Sequence, residues 1–340
     1  MKRLLSMMLF MNMLSYVTLG NVKLDNVTSI KITESINEVS NVAKLTIPKH
    51  YRLNDQKTIL EQFKVGDPVT ISFGYYKEDN VDIEVEFTGY IREIESDLPL
   101  VLLCEDESYI LRQTNVIKSW RSATLLQVLR EIVPSGITVE CPVVPLGRFQ
   151  IDNASVYDVL NKIKEDYGLY SRLKNGVLRV GLRDLVDMKQ MQATHAYVLN
   201  PTSVAGDFTK SNDLKFKRKT DFKLKVKVTC VDSANKKKTV EVGSKDADAS
   251  VINITYPGSF TEAELRKYGE SIYNKRCYDG YTGSITGFGT PRTHAGDALQ
   301  IEDKDDISRS GKYLIEAVDI TYSSDSGISR NNTLSYRLDN

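Results

Sequence analysis

The sequence predicts an α+β protein that is mainly β, with two antiparallel β regions flanking a small α+β insert. Short runs of β-branched and aromatic residues, parted by turn residues, occupy both ends of the chain. Between them apolar residues recur at helical spacing, and one strand-opening motif occurs near each end.

The first β region spans residues 16–109, behind an N-terminal extension of residues 1–15. Val27 to Ile32, Val42 to Ile47, Val69 to Tyr75, Val81 to Ile94 and Val101 to Cys104 read as strands, and Tyr16 to Leu24 as one more. Lys77 to Asn80 reads as a hairpin loop, and Ser96 to Pro99 as a break. The extension opens Lys2-Arg3 followed by the apolar Leu4 to Phe10, as a secretion signal would. Asn12 and Ser15 interrupt the run and no A-x-A site follows, so a non-cleaved extension, or a start at Met11 or Met13, is the expectation.

Residues 110–185 form the α+β insert. Leu125, Val128, Leu129, Ile132 and Val133 make a helical stripe with Ser122 as its expected cap and Pro134 just beyond. A second helix starts at Ser155, with Asp158 three residues on, carries Val156, Val159, Leu160, Ile163 and Tyr167 on one face, and stops at Gly168. Asn175-Gly176 then joins two strands as a tight hairpin. Residues 186–340 return to β. Phe222, Leu224, Val226 and Val228 alternate with Lys223, Lys225 and Lys227, and a helix near 261–277 is capped by Thr261 and Glu264 with Leu265, Tyr268 and Ile272 on one face.

Composition narrows function. The 340 residues suffice for two or three domains; 41% hydrophobic and 26% charged residues describe a globular chain. Lys plus Arg and Asp plus Glu each number 45, so no net field draws the protein onto nucleic acid or anionic lipid. No specific nucleic-acid partner and no stable membrane insertion are expected. Cys104, Cys141, Cys230 and Cys277 are far apart and His50, His195 and His294 lie in separate segments, which leaves no metal tetrad and no Ser-His or Cys-His pairing in the pattern. The acidic runs at 104–107 and 302–306 invite a catalytic reading; the second has a passing likeness to a calcium loop but lacks its spacing, its Gly and its closing Glu, and reads as a polar turn. No catalytic, cofactor or metal residue is assigned, and no cofactor is expected. Lys223, Lys225 and Lys227 are the one candidate interaction surface: a solvated outer face, or a basic strip meeting an acidic partner or passing nucleic acid.

Phe63-Lys64-Val65-Gly66-Asp67-Pro68-Val69-Thr70-Ile71, followed by Phe87 to Ile94, is echoed by His294-Ala295-Gly296-Asp297-Ala298-Leu299-Gln300-Ile301, followed by Gly311 to Val318. A Gly-Asp turn opens a strand in both, because Gly permits positive φ and Asp can bond back to the backbone. With the "LTIP" strand ending at Pro48, the stretch from Ser155 to Gly181 and the tail from Tyr281 to Asp303, this order resembles the hub proteins of phage tails and contractile injection systems. These include the late control protein D family and the hub part of type VI secretion spike proteins. The resemblance implies two tube-like β-barrel domains per chain. It further implies a homotrimer of pseudo-sixfold symmetry, which would contact a tail tube protein, a separate spike protein and baseplate proteins. The expected place is the virion tail or baseplate, assembled in the host cytoplasm, or a bacterial injection apparatus. The other reading of the sequence is a secreted carbohydrate-binding protein or hydrolase of β-rich fold.

Overall fold

The computed structural model describes residues 12–25, 27–48, 62–77, 80–95, 99–182, 194–199, 209–231, 236–257 and 260–339. Its first part holds seven strands: β1 (Asn12–Leu19), β2 (Val22–Asp25), β3 (Ser29–Ser35), β4 (Val42–Ile47), β5 (Pro68–Lys77), β6 (Asn80–Glu95) and β7 (Leu100–Glu105). They lie in the order β3-β4-β7-β6-β5-β1-β2, each antiparallel to its neighbours. Alternation decides which side faces the core: in β4, Ala43, Leu45 and Ile47 are buried while Lys44 is exposed. The stretch Tyr16 to Leu24, read as one strand, is instead a hairpin. Gly20 adopts φ +56°, a left-handed value that turns the chain and sets Leu19 opposite Val22. β1 begins at Asn12, within the stretch read as an extension. Lys77 pairs with Asn80, as a hairpin there requires. The tip of that hairpin (78–79), residues 96–98, the apolar start of the chain and His50 lie outside the described residues.

The α+β part follows with β8 (Asn115–Thr124), α1 (Leu125–Ile132), β9 (Thr138–Glu140), β10 (Pro145–Ser155), α2 (Val156–Tyr167), β11 (Leu169–Lys174) and β12 (Val177–Leu182). Thr124 caps α1, correcting the expectation of Ser122. The helix starts directly after β8, so only Thr124 can exchange bonds with Gln127, at 2.9 Å and 3.4 Å. In α2 the expected cap forms: Ser155 Oγ accepts from Asp158 N at 3.2 Å, and Gly168 ends the helix at φ +64°. Asn175 and Gly176 take φ +53° and +70° and bring Lys174 opposite Val177. Leu125, Val128 and Leu129 of α1 and Val156, Leu160 and Ile163 of α2 share one core with Leu173 and Leu178.

The last part holds β13 (Thr194–Leu199), β14 (Thr209–Asn212), β15 (Lys215–Lys217), β16 (Leu224–Val231), β17 (Lys237–Gly243), β18 (Ser250–Pro257), α3 (Glu262–Arg276), β19 (Gly280–Thr282), β20 (Ser284–Gly287), β21 (Ala298–Asp303), β22 (Gly311–Ser323) and β23 (Gly327–Arg337). β16 starts at Leu224, so Phe222, expected in that strand, lies outside it and is exposed. β17-β16-β18 form a separate small sheet, and with Leu265 of α3 they make a core of their own from Val226, Val228 and Cys230. The Thr261 cap on α3 forms as expected, with Glu264 N donating to Thr261 Oγ1 at 3.2 Å. β15 and β19 pair as a two-stranded sheet, and the other strands run β14-β20-β23-β22, with β21 pairing β22 and β13 pairing β21. β22 then pairs with β3, so the two ends of the chain make one 13-stranded sheet over one core. The protein is thus mainly β, and among the described residues its α-helices lie in the α+β part and the small lobe.

Candidate assembly interface

The two ends of the sheet are copies of one plan. Both order their strands as β5-β6-β7-β4-β3 and β21-β22-β23-β20-β14. The Gly-Asp turns match bond for bond. Gly66 N donates to Ile91 O at 2.8 Å and Ile91 N to Asp67 O at 2.9 Å; Gly296 N donates to Ile315 O and Ile315 N to Asp297 O, both at 2.9 Å. Each Asp side chain accepts from the backbone three residues upstream, Lys64 N and His294 N, at 2.9 Å. The glycines sit at φ +93° and +95°, where a side chain is strained. Past the turn both long strands bulge at the same place, Arg92 in β6 and Glu316 in β22: Ile91 faces Cys104 and Glu93 faces Leu103, just as Ile315 faces Leu334 and Ala317 faces Thr333. A shared turn, bulge and strand order is more than a sequence echo.

These halves meet at β22 and β3, which run antiparallel from Ala317 opposite Ser35 to Ser323 opposite Ser29. On the core side Ile30, Ile32, Val318, Ile320 and Tyr322 are buried together. On the other side Thr33 Oγ1 donates to Asp319 Oδ1 at 2.7 Å. The Glu316 bulge turns its carbonyl to Ile36 N at 3.0 Å and its Oε1 to Asn37 Nδ2 at 2.8 Å, extending the seam past the strands.

A buried ionic cluster ties the same halves a second time. Glu86 of β6 accepts from Arg292 through one oxygen and from Arg330 of β23 through the other. Arg330 is fully buried and also donates to Gly289 O at 2.9 Å and Thr293 O at 3.0 Å. Arg292 reaches Asp82 O and Oδ1, each at 2.8 Å. Close by, His294 Nδ1 lies 3.1 and 3.2 Å from the Glu34 oxygens, and Ala295 N donates to Glu34 at 3.1 Å. Donating its ring N–H to the Glu34 carboxylate raises His294 above its ordinary range, against burial and the Arg330 charge. Burial pushes the Glu34 carboxyl up, and the bonds and charge of His294 outweigh it and hold the group low.

The residues singled out from sequence are scattered by comparison. Lys223, Lys225 and Lys227 lie on or beside β16 in the small lobe; Lys223 Nζ is 2.9 Å from Asp248 and Lys227 Nζ 3.5 Å from Glu241, all well exposed. The acidic run 104–107 is a joint: Glu105 pairs with Arg112 at 2.8 Å, and Glu107 accepts from Asn175 N at 2.5 Å and Gly176 N at 3.0 Å. Asp106 accepts from Asn41 N at 2.8 Å, and burial drives its carboxyl up to about 6. In the run 302–306, Asp303 accepts from Tyr281 Oη at 2.5 Å and from Asp305 N at 3.0 Å, which is turn chemistry. Among the described residues no three His, Cys, Asp or Glu converge as metal ligands, and no helix is long and apolar enough to cross a membrane. Sequence reasoning missed Glu34, Glu86, Arg292, Arg330 and the fully buried Asn332, which accepts from Thr293 Oγ1 and donates to Ile285 O at 3.3 Å. The signal for two of them was present: Arg330 and Asn332 occupy the inward phase of β23 with Ile328, Leu334 and Tyr336.

Two like β units fused edge to edge, with an α+β domain between them, define a class of fold: that of phage tail proteins and related secretion components. Particular solved structures place the chain in it. A tail protein from Neisseria meningitidis matches with TM-score 0.62 at 15% identity, covering 96% of this chain and 97% of that one. A 43 kDa prophage tail protein from Shewanella oneidensis matches with TM-score 0.59 at 18% identity, covering 95% and 98%. An E. coli component of the type VI secretion system, structurally similar to T4 bacteriophage tail proteins, matches with TM-score 0.54 at 8% identity, covering 94% and 76%. No family model and no curated protein matches the sequence.

Proposed function

We propose that this chain is a structural hub of a phage tail or related contractile injection machine, a homotrimer that connects the tail tube to the central spike. The observation that carries the reading is the internal doubling. Two β units with the same turn, bulge and strand order in one chain let three chains offer six equivalent units. Such a ring reconciles a sixfold tube with a threefold spike. The fold of solved tail proteins, matched over nearly the whole length, supports it. A chain of a Francisella PdpA-VgrG complex shares the fold with TM-score 0.55, 58% of that chain being covered, which supports a place within a multi-protein assembly. The partners are then a tube protein, a separate spike protein and baseplate proteins, and the site of action is the virion tail or an injection apparatus. The protein works by geometry, without catalysis.

The test is native mass spectrometry of the purified chain, followed by electron microscopy of the same sample. The expected species is a three-chain ring with a central opening. A chain that stays monomeric at tens of micromolar, and remains so with tube and spike proteins added, would refute the hub.

A further inference from the structure

The chain contains its own template for a contact with a second copy. Within the chain, β3 of the first unit pairs with the end of β22 in the second unit. The counterpart of β3 in the second unit is β14 with β15, and the counterpart of the end of β22 in the first unit is the end of β6. Among the described residues both are open: β14 and β15 pair only with β20 and β19, and past Tyr90 the β5-side edge of β6 has no strand partner. Open edges of this kind are what a neighbouring chain covers.

The equivalence sets the register. Ile285 faces Asn332 as Leu45 faces Leu102, so Ile285 stands for Leu45. Asn212 faces Ile285 as Ile30 faces Leu45; the strands are interrupted at Asp213-Leu214 and at Gly283, φ +112°, but the register is kept on the far side, with Lys215 opposite Thr282. Lys215, Phe216 and Lys217 therefore take the places of Thr33, Glu34 and Ser35. Through the shared bulge, Glu93, Ile94 and Glu95 take the places of Ala317, Val318 and Asp319. We propose that β15 of one chain pairs antiparallel with the end of β6 of a second copy, Lys217 opposite Glu93, Phe216 opposite Ile94 and Lys215 opposite Glu95.

The side chains agree with a register derived from backbone pairing alone. Phe216 and Ile94 are both half-buried against the main core, so the inner face would be apolar on apolar. Glu93, Glu95 and Lys215 are exposed on the outer face, where Thr33 and Asp319 bond within the chain. Opposite charges directly across a strand pair attract, and a shift of one residue would set Phe216 against a glutamate. Lys217 already donates to Arg276 O at 3.1 Å, so the exposed Lys215 carries the main charge pair, with Glu95.

This inference rests on the chain assembling with itself, and the experiment separates the two. In a Cys141→Ser background, where the other three cysteines are buried, Lys215→Cys is combined with Glu95→Cys. Directly opposed Cα atoms about 4.5–5.5 Å apart are within disulfide reach. Oxidation is expected to give a covalent ladder ending at the native oligomer, and Lys215→Cys with Glu84→Cys, far along β6, is expected to give none. A native oligomer that forms no Lys215–Glu95 crosslink refutes the pairing and leaves the hub reading standing; a chain that stays monomeric with tube and spike proteins added refutes both. Charge reversal is the second arm: Lys215→Glu and Glu95→Lys should each weaken association by at least about fivefold, and the two together should restore it. Additive losses in the double variant would overturn the register.

Discussion

Arg330 is a side chain whose removal should cost the fold heavily. It is fully buried in β23 and pairs with Glu86, also buried, in β6. Arg330→Ala leaves Glu86 with Arg292 as its remaining cation, and frees the Gly289 and Thr293 carbonyls that Arg330 now satisfies. Breaking a buried pair by deleting one partner typically costs about 3–5 kcal/mol, since the other charge stays buried. Each unsatisfied buried acceptor contributes about 1–3 kcal/mol, a cost that overlaps with the first and is not added to it. Because Glu86 keeps Arg292, the expected loss sits at the low end of that range, about 3 kcal/mol. Urea unfolding at fixed protein concentration measures it, because self-association would shift the midpoint. Arg330→Met with Glu86→Met should lose less than the two single changes summed, since no lone charge remains. Lys223→Ala is the control: its pairing with Asp248 is more than half exposed, which limits the loss to under about 1 kcal/mol. An Arg330→Ala loss no larger than that of Lys223→Ala would refute the claim that this cluster ties the two units.

Three further outcomes are expected. His294 is raised by Glu34, so its contribution is complete below its ordinary value of about 6.5 and is lost as pH rises through the folded value. Glu34 is lowered, so its contribution is complete above about 4.5 and is lost as pH falls. Thermal midpoints from pH 5 to 9 should therefore fall at the alkaline end, and His294→Asn should flatten that fall; an unchanged slope would contradict it. At Gly89 an added Cβ would lie 2.1 Å from Glu105 O, so Gly89→Ala should destabilise well beyond the roughly 1 kcal/mol of an ordinary strained Gly→Ala, read as a lowered urea midpoint. Ser155→Ala removes the α2 cap and should cost about 1 kcal/mol, whereas Ser122→Ala should change the urea midpoint little because Thr124 caps α1.

Local chemistry was readable wherever the interacting residues are neighbours in sequence. Ser155 and Gly168 bound α2, Thr261 and Glu264 start α3, and Asn175-Gly176 turns a hairpin, since caps and tight turns are decided within a few residues. The Gly-Asp echo was readable for the same reason. Alternation located most strands, yet it could not split Tyr16 to Leu24 into a hairpin, because Gly20-Asn21 interrupts the pattern for only two residues.

What the sequence by itself determined was therefore the class, mainly β with an α+β insert, the doubled motif, and the ends of α2 and α3. Tertiary structure alone decided that the two units fuse through β3 and β22, where Thr33 meets Asp319 across 286 residues. It also decided that Glu86 and Arg330 belong inside, and that the strand carrying Lys223, Lys225 and Lys227 belongs to a lobe with its own core. The physical reason is that alternation in a strand specifies which face is buried and leaves the partner open, so remote pairing is settled only by register and packing. A buried charge is stable only beside its counterion, and that counterion comes from the other end of the chain.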